Sequence, residues 1–61
     1  MTGKQFRSWR KRMRKTIVET AADFGVSKAT ISRWEADPGE LARWVGLTCA
    51  AISLNLPPAE G

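Results

Sequence analysis

Residues 19–35 constrain the fold of this chain more than any other segment, because their small, glycine and apolar positions fit two short helices joined by a tight turn. Ala21 is small enough for two helices to cross closely, and Gly25 can adopt the positive φ that ends a helix. Ser27 is a favourable N-cap for a second helix over about residues 28–36. The sequence therefore predicts a helix, a turn and a helix in this segment.

The second of these helices has two different faces. Ile31 and Trp34, three residues apart, give one side an apolar stripe. The side chains left on the other side are small or polar, and they are Lys28, Ala29, Ser32 and Arg33. In a DNA-binding helix-turn-helix motif, the helix after the turn is the one that enters the major groove, so these side chains are candidates for contacts with base edges if the segment is such a motif.

The segment resembles the helix-turn-helix of the Cro and phage-repressor family, which is sometimes named after the xenobiotic response element. The resemblance covers residues 3–37 and is carried by Phe6, Trp9, Arg10, Met13, Thr16, Glu19, Ala21, Phe24, Gly25, Val26, Ser27, Ile31, Trp34 and Glu35. It implies an all-α, lambda-repressor-like domain of four to five helices.

One domain over residues 1–61 is expected, with helices at about residues 3–14, 16–24, 27–36 and 40–54. Thr16 and Glu19 have the spacing of a capping box at the start of the second helix. Residues 37–39, Asp-Pro-Gly, predict a break before the last helix. Gly46 weakens the prediction that this helix is uninterrupted, and we expect Pro57 and Pro58 to follow its end.

Positive charge is concentrated near the N-terminus. The chain has a formal net charge of +4 and a pI near 10.0. Seven Lys and Arg residues precede Glu19, the first acidic residue, whereas three cations accompany six acids in the rest of the chain, which gives +7 and −3. A local positive field of this kind favours phosphate groups, so a nucleic acid is the expected partner.

Few of the residues that enzymes and metal sites need are available. The chain has one Cys and no His, so the number of ligands excludes a zinc site or a His-based triad. Glu19 and Asp23 lie one turn apart, but capping already accounts for Glu19 and nothing would tune the two as a catalytic pair. We therefore expect no enzymatic activity, no catalytic residue, no metal and no cofactor. Cys49 is expected in the core, and the absence of a secretory signal or membrane-spanning run predicts a cytoplasmic protein.

By position, the resemblance assigns the contacts with DNA bases to Lys28, Ala29, Ser32 and Arg33. Arg33 is the first choice for specificity, because its guanidinium can donate two hydrogen bonds to guanine, worth about 1–3 kcal/mol of discrimination. Lys28 could reach a guanine or a phosphate. Ala29 offers only an apolar surface, which suits a thymine methyl group.

Contacts with DNA phosphates are implied at Arg14, Lys15, Thr16, Ile17, Thr30 and Arg43. In the family, the N-terminus of the second helix presents backbone N–H groups to a phosphate, and Thr16 and Ile17 occupy that place. The family commonly has Gln where this chain has Ile17, and Gly-Leu where it has Arg14 and Lys15. The two cations could therefore supply the contact that Ile17 cannot.

Two further assignments are structural. The resemblance implies that Arg10 and Glu35 pair and so orient the recognition helix without touching DNA. Trp9, Trp34 and Trp44 could stack on bases, but each lies on an apolar helical stripe, which favours the core.

A second copy of the chain is an expected partner. A domain of 61 residues buries only about 60% of the surface that its unfolded chain exposes, and is therefore marginal alone. The last predicted helix has more apolar residues than one face requires. The residues left for a partner copy are Trp44, Leu47, Ala51 and Leu54. The alternative is that the C-terminal tail of the same chain covers two of them.

These features predict a sequence-specific transcriptional regulator that binds double-stranded DNA. The resemblance implies a homodimeric autorepressor of a phage or mobile-element operon, which includes the anti-CRISPR-associated type, bound to an operator with an inverted repeat. No small-molecule effector and no membrane contact are expected. The alternative is an interaction module, in which the helix-turn-helix is a scaffold and the basic first helix docks on an acidic protein.

Overall fold

A computed structural model describes residues 1–54. They form four α-helices, α1 (Gly3–Arg12), α2 (Ile17–Phe24), α3 (Lys28–Ala36) and α4 (Arg43–Ser53). The only extended pairing in this part of the chain is an isolated antiparallel bridge between Thr2 and Glu40. The prediction of an all-α fold is confirmed for these residues. α4 ends at Ser53, one residue before the predicted end at 54, and Pro57 and Pro58, which are expected to follow it, lie outside the described residues.

Local hydrogen bonds explain where α2 and α3 begin. The Thr16 hydroxyl accepts from the Glu19 backbone N–H at 3.1 Å, and the Glu19 carboxylate accepts from the Thr16 N–H at 2.8 Å. This is the predicted capping box. The Ser27 hydroxyl accepts from the Thr30 N–H at 3.2 Å and caps α3. Gly25 ends α2 in the left-handed conformation, with φ of 68°. The predicted caps are therefore confirmed.

α1 and α4 are shorter than predicted. α1 ends at Arg12 and not at residue 14, because Arg14 has a φ of 57° and turns the chain out of the helix. α4 begins at Arg43 and not at residue 40, because Glu40 is in the bridge with Thr2 and the Leu41 N–H donates to the Met1 carbonyl at 2.8 Å. The N-terminal residues thus hold in extended form the segment that the sequence assigned to a helix.

The core lies where α3 crosses α1 and α2. Phe6 and Ile31 are fully buried. Val45 of α4 is 1% exposed and belongs to the same core cluster. Phe6 contacts the rings of Phe24 and Trp34 edge to face, with centroids 5.6 and 5.7 Å apart. Each helix therefore contributes a large apolar side chain, which is how a small domain obtains a continuous core.

The three tryptophans differ in burial. Trp9 is 3% exposed and its indole N–H donates to the Ser53 hydroxyl at 2.7 Å, which ties α1 to the end of α4. Trp34 is half-buried in the aromatic cluster. Trp44 is 48% exposed, so the prediction of a core position is wrong for this residue. Its ring lies against Trp34 at 5.4 Å, and its position at the first turn of α4 leaves the rest of the ring in solvent.

α4 runs unbroken through Gly46, so the suspected interruption is absent from this helix. Cys49 is 2% exposed and lies in the core, as predicted. Among residues 1–54, none of the helices has the length and apolarity that crossing a membrane requires.

Candidate nucleic-acid interface

α3 presents the four predicted base-contacting side chains on one exposed surface. Ile31 is completely buried and Trp34 half-buried, so these two fix which side of α3 faces the core. The remaining face is exposed at Lys28, Ala29, Ser32 and Arg33. The structure therefore brings together two cations, a hydroxyl and a methyl group on about two turns of helix.

The first turn of α3 is held by two hydroxyl groups. Ser27 Oγ and Thr30 Oγ1 lie 3.0 Å apart and are hydrogen-bonded. Thr30 is half-buried, and its backbone N–H also donates to Ser27. This places the hydroxyl of Thr30, a predicted phosphate contact, at the helix N-terminus, where the helix dipole favours an anion.

The N-terminus of α2 is fixed by Thr16 and Glu19. Hydrogen bonds from the backbone N–H and from the side chain of Thr16 lower the pKa of the exposed Glu19 carboxyl below its ordinary value. Thr20 is fully buried, and its hydroxyl donates to the Thr16 carbonyl at 2.8 Å. Ile17, the next residue, is half-buried and packs against the core. Its side chain anchors α2 to the core, and its backbone N–H lies at the first position of the helix.

A surface groove of about 350 Å³ joins three of the helices. It is lined by Arg7, Arg10, Ile17, Ser32, Glu35 and Ala36. Ser32 and Ala36 are one turn apart on α3, so the groove runs along the edge of the exposed α3 face. It connects the predicted base-contacting surface to the N-terminus of α2 and to a cation of α1.

Arg10 and Glu35 form the ion pair that the resemblance implies. Arg10 Nε lies 2.5 Å from Glu35 Oε2, and the two side chains are 13% and 10% exposed. Arg10 Nη1 also donates to the Lys15 carbonyl at 2.9 Å. One guanidinium therefore fixes both the C-terminal half of α3 and the loop before α2.

The cations predicted to contact phosphates differ in exposure and in ion pairing. Arg14 is exposed in the loop after α1, and Arg43 is exposed at the first position of α4. Lys15 is half-buried, and its Nζ lies 2.7 Å from Asp23 Oδ2. The charge of Lys15 is thus shared with a carboxylate on α2, which weakens its attraction for a phosphate.

The residues predicted for a partner copy lie along α4. Trp44, Leu47 and Leu54 are 48%, 59% and 71% exposed, and Ala51 is half-buried. Val45 and Cys49, on the opposite side of the same helix, are buried in the core. One face of α4 is therefore buried in the core of the monomer, and an apolar strip on another face is exposed.

Sequence reasoning missed the position of Arg7. The sequence places this residue in the basic N-terminal segment and does not distinguish it from the neighbouring cations. The available signal was its spacing, because Arg7 precedes Arg10 by three residues and so lies beside it on α1. Only the crossing of α1 and α3 shows that this side of α1 borders Ser32.

No family model, curated protein or solved structure matches the chain. What this surface can bind is therefore inferred from its own side chains. A helix with an exposed polar face, a neighbouring helix N-terminus and flanking cations can bind a polyanion and contact the edges of its bases.

Proposed function

We propose that this chain is a sequence-specific double-stranded DNA-binding transcriptional regulator in which α2 and α3 form a helix-turn-helix. The observation that carries the proposal is the exposed face of α3, where Lys28, Ala29, Ser32 and Arg33 point away from a core fixed by Ile31. In this reading α3 is the recognition helix and enters the major groove.

Base contacts supply selectivity. Arg33 is exposed and lies one turn beyond Ala29, so both could meet neighbouring base pairs along one groove. Arg33 selects a guanine through two hydrogen bonds, and Ala29 accommodates a thymine methyl group. Ser32 and Lys28 complete the surface, with Lys28 at the first turn of the helix.

Phosphate contacts supply affinity. The basic part of the chain before Glu19 carries a formal charge of +7, and Arg14 is the exposed cation that comes nearest before α2 along the chain. The N-termini of α2 and α3 add oriented backbone N–H groups at Thr16, Ile17 and Thr30. Arg43 at the start of α4 is a further cation on the exposed surface.

The regulator acts as a homodimer on an inverted repeat. The apolar strip of α4 supports this, because Trp44, Leu47 and Leu54 are large side chains that a monomer leaves in water. Two copies related by a twofold axis would place their α3 helices about 34 Å apart, one turn of DNA. We infer an autorepressor of the phage or mobile-element type, acting in the cytoplasm without a small-molecule effector.

Selection of bound sequences from a random duplex pool tests the proposal. We expect an enriched motif with twofold symmetry. Arg33→Gln should relax selection at one position of each half-site, whereas Arg14→Gln should weaken binding to all duplexes alike. Both side chains are exposed, so neither variant should unfold the domain.

Equal affinity for enriched and random duplexes at about 150 mM salt, a concentration at which non-specific binding is weakened, would overturn the proposal. That result would favour the interaction module, in which the basic α1 docks on an acidic protein. An enriched motif without twofold symmetry would support sequence-specific DNA binding but contradict the homodimer.

A further inference from the structure

The cations of α1 lie on two different sides of that helix. Arg7 lines the groove that also contains Ser32 of α3 and Ile17 of α2. Arg12 lines a separate groove of about 530 Å³ with Lys4 and Trp9. Only the first of these grooves borders the proposed recognition surface.

Arg10 is less suited than Arg7 to bind an anion in the first groove, because three of its five N–H donors are engaged within the chain and its charge is paired with Glu35. Its Nε and Nη2 both donate to Glu35, at 2.5 and 3.3 Å, and its Nη1 donates to Lys15. Its side chain is 13% exposed. Arg10 therefore neutralises Glu35 and faces inward.

Arg7 is differently placed. Its side chain is 58% exposed, and its Nε is 3.9 Å from Glu35 Oε1, which is too far for a hydrogen bond. With Glu35 already neutralised by Arg10, the charged side chains lining this groove carry a net charge of +1, from two arginines and one glutamate. The Glu35 carboxylate is near enough to attract the Arg7 guanidinium toward the groove, but it accepts no hydrogen bond from Arg7.

We propose that Arg7 contacts a phosphate of the DNA backbone next to the bases that Ser32 and Arg33 face, as an additional DNA-binding residue of this chain. The proposal rests on the function proposed above. A phosphate in the groove would lie between the Arg7 guanidinium and the N-terminus of α2, and planar guanidinium donors suit two phosphate oxygens. The contact fixes where α3 sits in the major groove and carries no sequence information itself.

The salt dependence of binding tests this proposal with a matched pair of variants. Arg7→Gln and Arg12→Gln each remove one exposed cation from α1, but from two separate grooves. The dissociation constant of the full chain for the enriched duplex is measured across a range of salt concentrations. Each phosphate contact contributes about 0.9 to the slope of log K against log salt.

We expect Arg7→Gln to reduce that slope by about 0.9 and to weaken enriched and random duplexes by the same factor. Arg12→Gln should change the slope by less, and Arg7→Lys should restore most of it. The enriched motif should be the same for all three variants. Thermal melts show that each variant remains folded.

Two failures are distinguishable. If the wild-type chain selects a motif but Arg7→Gln and Arg12→Gln change the slope equally, the role of Arg7 is wrong and the proposed function stands. If the wild-type chain selects no motif, the proposed function is wrong and the role of Arg7 fails with it.

Discussion

Arg10 on α1 and Glu35 on α3 are joined by two hydrogen bonds, of 2.5 and 3.3 Å, in a position nearly closed to solvent. A second pair, between the Met1 ammonium and Glu40, is equally short at 2.6 Å but lies at the surface, where Glu40 is 71% exposed. The first pair has two hydrogen bonds and is nearly buried, whereas the second has one contact and is exposed. Burial and the number of hydrogen bonds therefore both favour a larger contribution to stability from the first pair.

Glu35→Ala should destabilise the fold far more than Glu40→Ala. Removing one partner of a buried pair costs about 3–5 kcal/mol, because the other charge is left without compensation. Removing one partner of an exposed pair costs about 0–1 kcal/mol. Urea unfolding followed by tryptophan fluorescence measures both. Equal losses would show that the Arg10 contact is screened like a surface pair.

The positions that sequence reasoning predicted well depend on near neighbours in the chain. Thr16 caps α2 through a residue three positions away, and Gly25 ends the helix through its own φ. The exposed face of α3 follows from the spacing of Ile31 and Trp34 alone. These features need no knowledge of how the helices pack.

Contacts between distant segments were not predictable in the same way. The start of α4 was placed three residues too early, because the pairing of Glu40 with Thr2 depends on where the N-terminal residues lie. Trp44 has the spacing of a core residue, but at the first turn of α4 it covers the outside of the Trp34 ring and stays half in solvent. Arg7 likewise required the crossing of α1 and α3.

Gly3 and Gly46 should respond oppositely to alanine. A Cβ at Gly3 would overlap the Trp34 carbonyl oxygen and lie 2.7 Å from that of Asp37, because α1 begins directly against the end of α3. We expect Gly3→Ala to cost about 1–3 kcal/mol through overpacking. At Gly46 a Cβ would meet Met1 Cβ at 3.8 Å, an ordinary contact, so Gly46→Ala should stabilise α4 by about 1 kcal/mol.

Thermal melts of the two variants test this prediction, since about 1 kcal/mol shifts Tm by roughly 4–8 °C in a domain of this size. Circular dichroism at low temperature checks that both variants keep their helices. A rise in Tm for Gly3→Ala would mean that helix propensity outweighs the contact with α3.

Glu19 should make stability fall at acid pH. Hydrogen bonds from Thr16 hold the pKa of Glu19 below its ordinary value of 4.5 in the folded chain. The stabilisation is therefore complete above that ordinary value and is lost as pH falls through the lower folded-state pKa. Urea unfolding of wild type and Glu19→Gln between neutral and acid pH should show stabilities that converge at low pH. A constant difference between them would contradict a role for the ionised carboxylate.

Cys49 should react slowly with thiol reagents in the native chain. Burial raises the pKa of its thiol to about 11, and the side chain is 2% exposed. Labelling at pH 8 should accelerate when urea unfolds the chain. Because the unfolded thiol ionises near 9.0, stability should also fall as pH rises from there toward 11, and Cys49→Ala should lack this loss. Equal labelling rates in native and unfolded chains would contradict burial of the thiol.

Leu47→Glu should dissociate the proposed dimer. Leu47 is 59% exposed on the apolar strip of α4, and a carboxylate there would be desolvated in an interface with a second copy. Val18 on α2 has the same exposure of 59% and lies outside that strip, so Val18→Glu controls for the added charge. Sedimentation without DNA should show at least a tenfold rise in the dimer dissociation constant for Leu47→Glu alone, a change of about 1.4 kcal/mol. If the wild type remains monomeric at all concentrations, or if both variants dissociate alike, α4 is not the dimer surface.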